Sequence, residues 1–145
     1  MPILNLRMSA DGPLVDLAIG VSFPRERALR LANQAVPNPV QLRALIDTGA
    51  SCTCIEAGAL APLGLSPTGV IPITTPSSGL SPAICSQYDV SITIVHPTVG
   101  MGFPAIPIVE CQSLSSSFQA LLGRDLLQHC LFVYDGHAQQ FSLAF

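Results

Sequence analysis

Thirteen prolines and eleven glycines are spread along 145 residues without clustering, and this punctuation limits the chain more than any other feature. A proline inside a helix removes a hydrogen bond and clashes with the preceding turn, so no long helix survives such spacing. What remains between the breakers are short stretches rich in Val, Ile, Leu and Thr, the pattern of an all-β domain. At this length the chain is expected to form a single domain over residues 1–145.

Strands are expected at residues 3–8 and 14–23, forming an opening hairpin around the turn Ala10-Asp11-Gly12-Pro13. Residues 24–39, with Arg25, Glu26, Arg27 and Arg30 around Ala28, Leu29 and Leu31, read as a surface insertion holding one short helix. Further strands are expected at Val40–Ile46, 51–55, 70–75, 88–95, 103–110 and 118–122. A helical turn is expected at 56–63, a short helix at 124–130, and a last hairpin of 131–134 and 140–144 around Asp135-Gly136. The strands at 70–75 and 88–95, with the small-residue loop at 76–82, make a long hairpin spanning 70–95.

Charge excludes several functions. Only 10% of residues are charged and the net charge is −3. All six basic residues are Arg, which leaves no basic footprint for nucleic acid. Mean hydropathy is high at +0.52, yet every apolar run is broken well before the roughly 18 residues that span a bilayer. Neither membrane insertion nor a signal peptide is read, which points to a cytoplasmic protein. High apolar content with little charge implies that a partner covers part of the surface, most simply a second copy of the chain. The five cysteines, Cys52, Cys54, Cys85, Cys111 and Cys130, contain no C-x-x-C pair, and His96, His129 and His137 lack ligand spacing. Reduced thiols are expected, with no metal and no cofactor.

Asp47-Thr48-Gly49 stands at the end of an apolar strand. Taken alone it is a turn, with the carboxylate bonding a backbone N–H two residues on. A weaker echo follows 76 residues later, where Ala120-Leu121-Leu122-Gly123 repeats the shape of Ala44-Leu45-Ile46-Asp47.

Ala44-Leu45-Ile46-Asp47-Thr48-Gly49-Ala50, Gln87-Tyr88-Asp89-Val90 and Leu121-Leu122-Gly123-Arg124-Asp125-Leu126-Leu127 together resemble, in order, the signatures of the retropepsin-like aspartic proteases, single-domain relatives of pepsin. The resemblance runs from about residue 40 to residue 145. It implies a closed, barrel-like acid-protease half-fold, all-β with one short C-terminal helix. It also implies an aspartic endopeptidase acting on extended, largely apolar peptide segments. Asp47 would be catalytic, within a loop completed by Thr48, Gly49 and Ala50. Ser77, Ser78, Gly79 and Leu80 would belong to a flap that closes over substrate. Arg124 and Asp125 would give structural support, Arg124 through an ion pair beneath the site. Viral members carry an Asp two positions after the motif's Gly, where this chain has Ser51.

Peptide hydrolysis without a covalent intermediate needs a general base and a general acid. Two carboxylates about 3 Å apart supply both, because they share one proton. One chain carries one such loop, so the second Asp47 would come from a homodimer partner. The alternative is a catalytically inactive retropepsin-like module for dimerisation or peptide binding, with Asp47 serving only the turn.

Overall fold

The computed structural model describes residues 1–75 and 78–145. Ten strands and a few short helices follow one another as β1 (Ile3–Arg7), β2 (Leu14–Val21), α1 (Phe23–Leu31), β3 (Val40–Ile46), β4 (Cys54–Glu56), α2 (Ala57–Leu60), a 3₁₀ turn (Ala61–Leu63), β5 (Gly69–Ile73), β6 (Ala83–Ile94), β7 (Met101–Cys111), β8 (Ala120–Leu122), α3 (Arg124–Leu127), β9 (Leu131–Asp135) and β10 (Gln140–Ala144).

Alternation along β2, β3 and the second half of β6 directs Val15, Leu17, Ile19, Leu42, Ala44, Val90, Ile92 and Ile94 inward, all buried. One sheet runs β2-β3-β8-β4-β7-β6-β5, and β6 also pairs with β2, with Leu17 opposite Ile94. The six strands β2, β3, β8, β4, β7 and β6 therefore close into a barrel, and β5 hangs from its rim as half of a hairpin with β6. Closure removes the free edges that an open sheet would expose. Beneath it lies a three-stranded sheet, β1-β10-β9, whose Leu4, Phe141 and Leu143 join the barrel core.

Several expectations need correction. β1 does not form a hairpin with β2. It pairs with β10, Leu4 opposite Leu143 and Leu6 opposite Phe141, because that pairing buries its apolar face. The intervening turn keeps a single bridge, Ser9 to Gly12, where Gly12 takes a φ of +113°. The short helix expected within residues 24–39 is present as α1, the longest of the described helices at nine residues, though it starts already at Phe23. Only Leu29 of α1 is buried, so the helix lies over the barrel's surface. α3 is also shorter than expected. After Leu127 the amides of His129 and Cys130 bond three residues back, tightening the turn so that the regular helix stops. The strand after the small-residue loop begins at Ala83, five residues before the expected start at 88, and β4 begins only at Cys54.

Candidate active site

The strand β3 delivers Asp47 into a tight turn. Its carboxylate accepts the Gly49 N–H at 2.9 Å, and the Ala50 N–H returns to the Asp47 carbonyl at 3.2 Å. This is the local bond a turn-forming Asp makes, yet the neighbours add much more. β3 lies parallel to β8 with Ala44 opposite Ala120, Leu45 opposite Leu121 and Ile46 opposite Leu122. The two echoing triplets are thus side by side, and the chains leaving them cross-bond. Asp47 N–H donates to the Leu122 carbonyl at 3.0 Å, and Arg124 N–H donates to the Ala50 carbonyl at 2.9 Å.

Arg124 then grips the loop. Its Nη1 donates to the Thr48 carbonyl at 2.9 Å and to the Gly49 carbonyl at 3.2 Å. The ion pair implied by the resemblance is not formed: among the described residues the Arg30–Glu26 pair on α1 is the salt bridge present. With Ser51 where an acid would stand, the guanidinium takes backbone carbonyls instead. Asp125 does more than start a helix. Its Oδ2 accepts the Thr53 N–H at 2.8 Å, its Oδ1 accepts the Thr53 hydroxyl at 2.8 Å, and Oδ1 also accepts the Leu126 N–H at 2.9 Å.

Thr53 was not singled out by sequence, although it completes the clamp. It is wholly buried, and its Oγ1 accepts the Gly123 N–H at 3.0 Å while donating to Asp125. The available signal was parity: Thr53 shares the inward face with Ile55, so it is a polar residue at a core position. Gly123 is fixed by the same contact. A Cβ there would lie 2.5 Å from the Cys52 carbonyl carbon and 2.9 Å from the Thr53 nitrogen.

Asp47, Thr48, Gly49, Ala50, Arg124 and Asp125 therefore belong to one bonded cluster. Asp47 is half-buried, and Thr48 and Gly49 are exposed. Of the residues expected in a flap, Ser78, Gly79 and Leu80 lie between β5 and β6, apart from this cluster. Ser77 and the adjoining Pro76 lie outside the described residues. Ser78 is tied to Thr75, its Oγ donating to the Thr75 carbonyl at 2.9 Å and accepting the Thr75 N–H at 2.9 Å. Gly79 follows with a φ of +61°, a backbone that favours glycine, and Leu80 is fully exposed. The β6–β7 wall is braced by Tyr88, whose hydroxyl donates to Glu110 at 2.8 Å, and this bond holds the phenol's pKa above its ordinary value. No group of His, Cys, Asp and Glu among the described residues is arranged to hold a metal. No helix of the described residues is long and apolar enough to cross a membrane.

The fold is similar to that in a crystal structure of a retropepsin-like aspartic protease from Rickettsia conorii, with a TM-score of 0.58 and 17% sequence identity over 99% of this chain and 91% of that one. No protein-family model and no curated protein matches the chain. At this identity the likeness establishes a shared fold.

Proposed function

We propose that the chain is a retropepsin-like aspartic endopeptidase whose active site forms when two copies bring their Asp47 loops together. The observation that carries this reading is the loop's double bracing. Asp47 sits, partly buried, on a turn held by Arg124 through the Thr48 and Gly49 carbonyls and by β8 through the Leu122 carbonyl. A solvent-facing turn needs no such support merely to reverse the chain, whereas a catalytic carboxylate must be held within a fraction of an ångström. Within one copy, Asp125 is already engaged by Thr53 and Leu126. The second carboxylate of a dyad is therefore supplied by the partner's loop.

In the assembled site the two carboxylates share one proton. The ionised one takes a proton from a water as it attacks the scissile carbonyl. The protonated one polarises the carbonyl oxygen and returns a proton to the leaving nitrogen. The β5–β6 hairpin lies over an extended peptide bound as an added strand. Its exposed Val70, Leu80 and Ile84 favour apolar side chains in that peptide.

The test is cleavage of a peptide library by the purified chain across acid to neutral conditions, about pH 4 to pH 7, with pepstatin as inhibitor. Asp47→Ala is expected to lose activity by about 10²–10⁴-fold or more, the contribution of a general acid–base group. Equal cleavage by wild type and variant overturns the enzyme reading. If both are inert and yet dimeric, the chain is the non-catalytic module.

A further inference from the structure

Arg7 and Arg43 come from different sheets and line one cleft. Arg7 ends β1, where pairing with Gln140 of β10 fixes its backbone. Arg43 lies on β3 opposite Asp16 of β2. Its N–H donates to the Gln119 side chain at 3.3 Å, and its carbonyl accepts the Gln119 N–H at 2.9 Å. Exposed between the buried Leu42 and Ala44, Arg43 stands on the outer face of the barrel. The cleft at this seam has a volume of about 420 Å³ and is lined by Leu6, Arg7, Ser9, Leu14, Asp16 and Arg43. Its rim is fixed by the turn after β1, where Ser9 and Gly12 exchange backbone hydrogen bonds of 3.0 and 3.1 Å and the Ser9 hydroxyl donates to the Gly12 carbonyl at 3.0 Å.

The two guanidiniums are uncommitted. Arg30 is paired with Glu26, and Arg124 is bound to the Thr48 and Gly49 carbonyls. Among the described residues neither Arg7 nor Arg43 forms an ion pair, not even with Asp16 in the same cleft. Two positive charges beside one carboxylate leave an excess of positive charge, which suits a monoanion better than a dianion that Asp16 would repel. Guanidinium forks take a carboxylate by paired, charge-assisted hydrogen bonds. Asp16 supplies an acceptor for an N–H, and the partly buried Leu6 and Leu14 supply an apolar wall. The last residue of a peptide carries all three matching groups: a carboxylate, an amide N–H and a side chain.

We propose that this cleft binds the free C-terminus of a peptide whose last residue is apolar. The carboxylate lies on Arg7 and Arg43, the last amide N–H on Asp16, and the terminal side chain against Leu6 and Leu14. A second cleft of about 440 Å³ shares Asp16 and Arg43 and is bounded beyond them by Ser116, Ser117 and Gln119. The residues preceding the C-terminus leave through it. The site shares no residue with the cluster around Asp47 and stands independently of the protease reading.

The experiment titrates the full chain with N-acetyl-Ala-Ala-Leu at neutral pH and low salt, by calorimetry, using the peptide as its free acid and as its C-terminal amide. The free acid is expected to bind at least about tenfold more tightly than the amide, the worth of a charge-assisted hydrogen bond. R7Q and R43Q are each expected to weaken the acid by about tenfold or more, and R25Q on α1 to leave it unchanged. Replacing the last amide by an ester removes its N–H and is expected to weaken binding to wild type more than to D16N. Asp47→Ala is expected to bind the acid as wild type does, so an inert chain that still binds supports the site. The acid–amide comparison needs no variant, and circular dichroism checks that the variants are folded. The proposal is overturned if acid and amide bind alike, if either R7Q or R43Q binds as wild type does, or if the acid does not bind at about 10 mM. It is equally overturned if Asp47→Ala abolishes binding, or if inorganic phosphate displaces the peptide as readily as the free acid does, which would make the cleft a general anion site.

Discussion

At the scale of single residues, the candidate site is decided by polar groups that face the core. Thr53 has no exposed surface, and three bonds run through it: its amide and hydroxyl to Asp125 and the Gly123 amide to its hydroxyl. Thr53→Val keeps the shape and the amide bond but leaves the Gly123 N–H and one Asp125 oxygen without that partner. It is expected to lower stability by about 2 kcal/mol, the usual cost of a lost bond to a charged group plus an unsatisfied donor. Chemical denaturation with an unchanged slope would show this, and a loss below about 0.5 kcal/mol would mean that Thr53 is not a clamp. Gly123→Ala tests the neighbouring contact by sterics alone. Its φ of −85° suits any residue, so the cost comes only from a Cβ placed 2.5 Å from the Cys52 backbone. Because backbone cannot swing aside, a loss of about 2–3 kcal/mol or more is expected. A fully stable Gly123→Ala chain would contradict the close approach of these segments.

Among the elements, β6 divides into two parts with different work. From Val90 to Ile94 it pairs with β2 on one side and β7 on the other, and its inward side chains are buried. From Ala83 to Ser86 its ladder partner is β5, and Ile84 is exposed. Opening of the hairpin would therefore leave the barrel intact, as the flap role proposed above requires. Amide hydrogen exchange is expected to be faster for the outer ladder than for Val90, Ile92 and Ile94 by about two orders of magnitude or more, because the inner amides exchange only on global unfolding. Equal protection along β6 would mean that hairpin and barrel open together. The boundary between the halves was hard to see in sequence. The segment 83–87 lacks the alternation of the inner half, since an overhanging hairpin has no core to face. Its strand character comes from pairing with β5 rather than from its own pattern.

For the whole molecule, one loop per chain makes assembly the condition of the proposed chemistry. Specific activity is expected to fall on dilution as dimers dissociate, and adding excess Asp47→Asn chain is expected to suppress wild-type activity by forming mixed dimers with one carboxylate. Activity strictly proportional to wild-type concentration, indifferent to the inactive chain, would exclude a shared site. Much of this was legible beforehand. The Pro and Gly spacing excluded long helices and pointed to a β-rich domain, since a proline beyond a helix's first turn breaks it, although β6 and β7 still run to 12 and 11 residues. The Asp47 turn was local too, because a carboxylate and an amide two residues on meet whatever the rest of the chain does. Tertiary structure alone decided the rest: that β1 joins β10 and not β2, that the echoing triplets are laid side by side, that Arg124 holds carbonyls, and that Thr53 locks onto Asp125. Each of these joins residues remote in the sequence, about 70–80 apart for the site. Such contacts form only when the whole barrel closes and its core decides which partners meet.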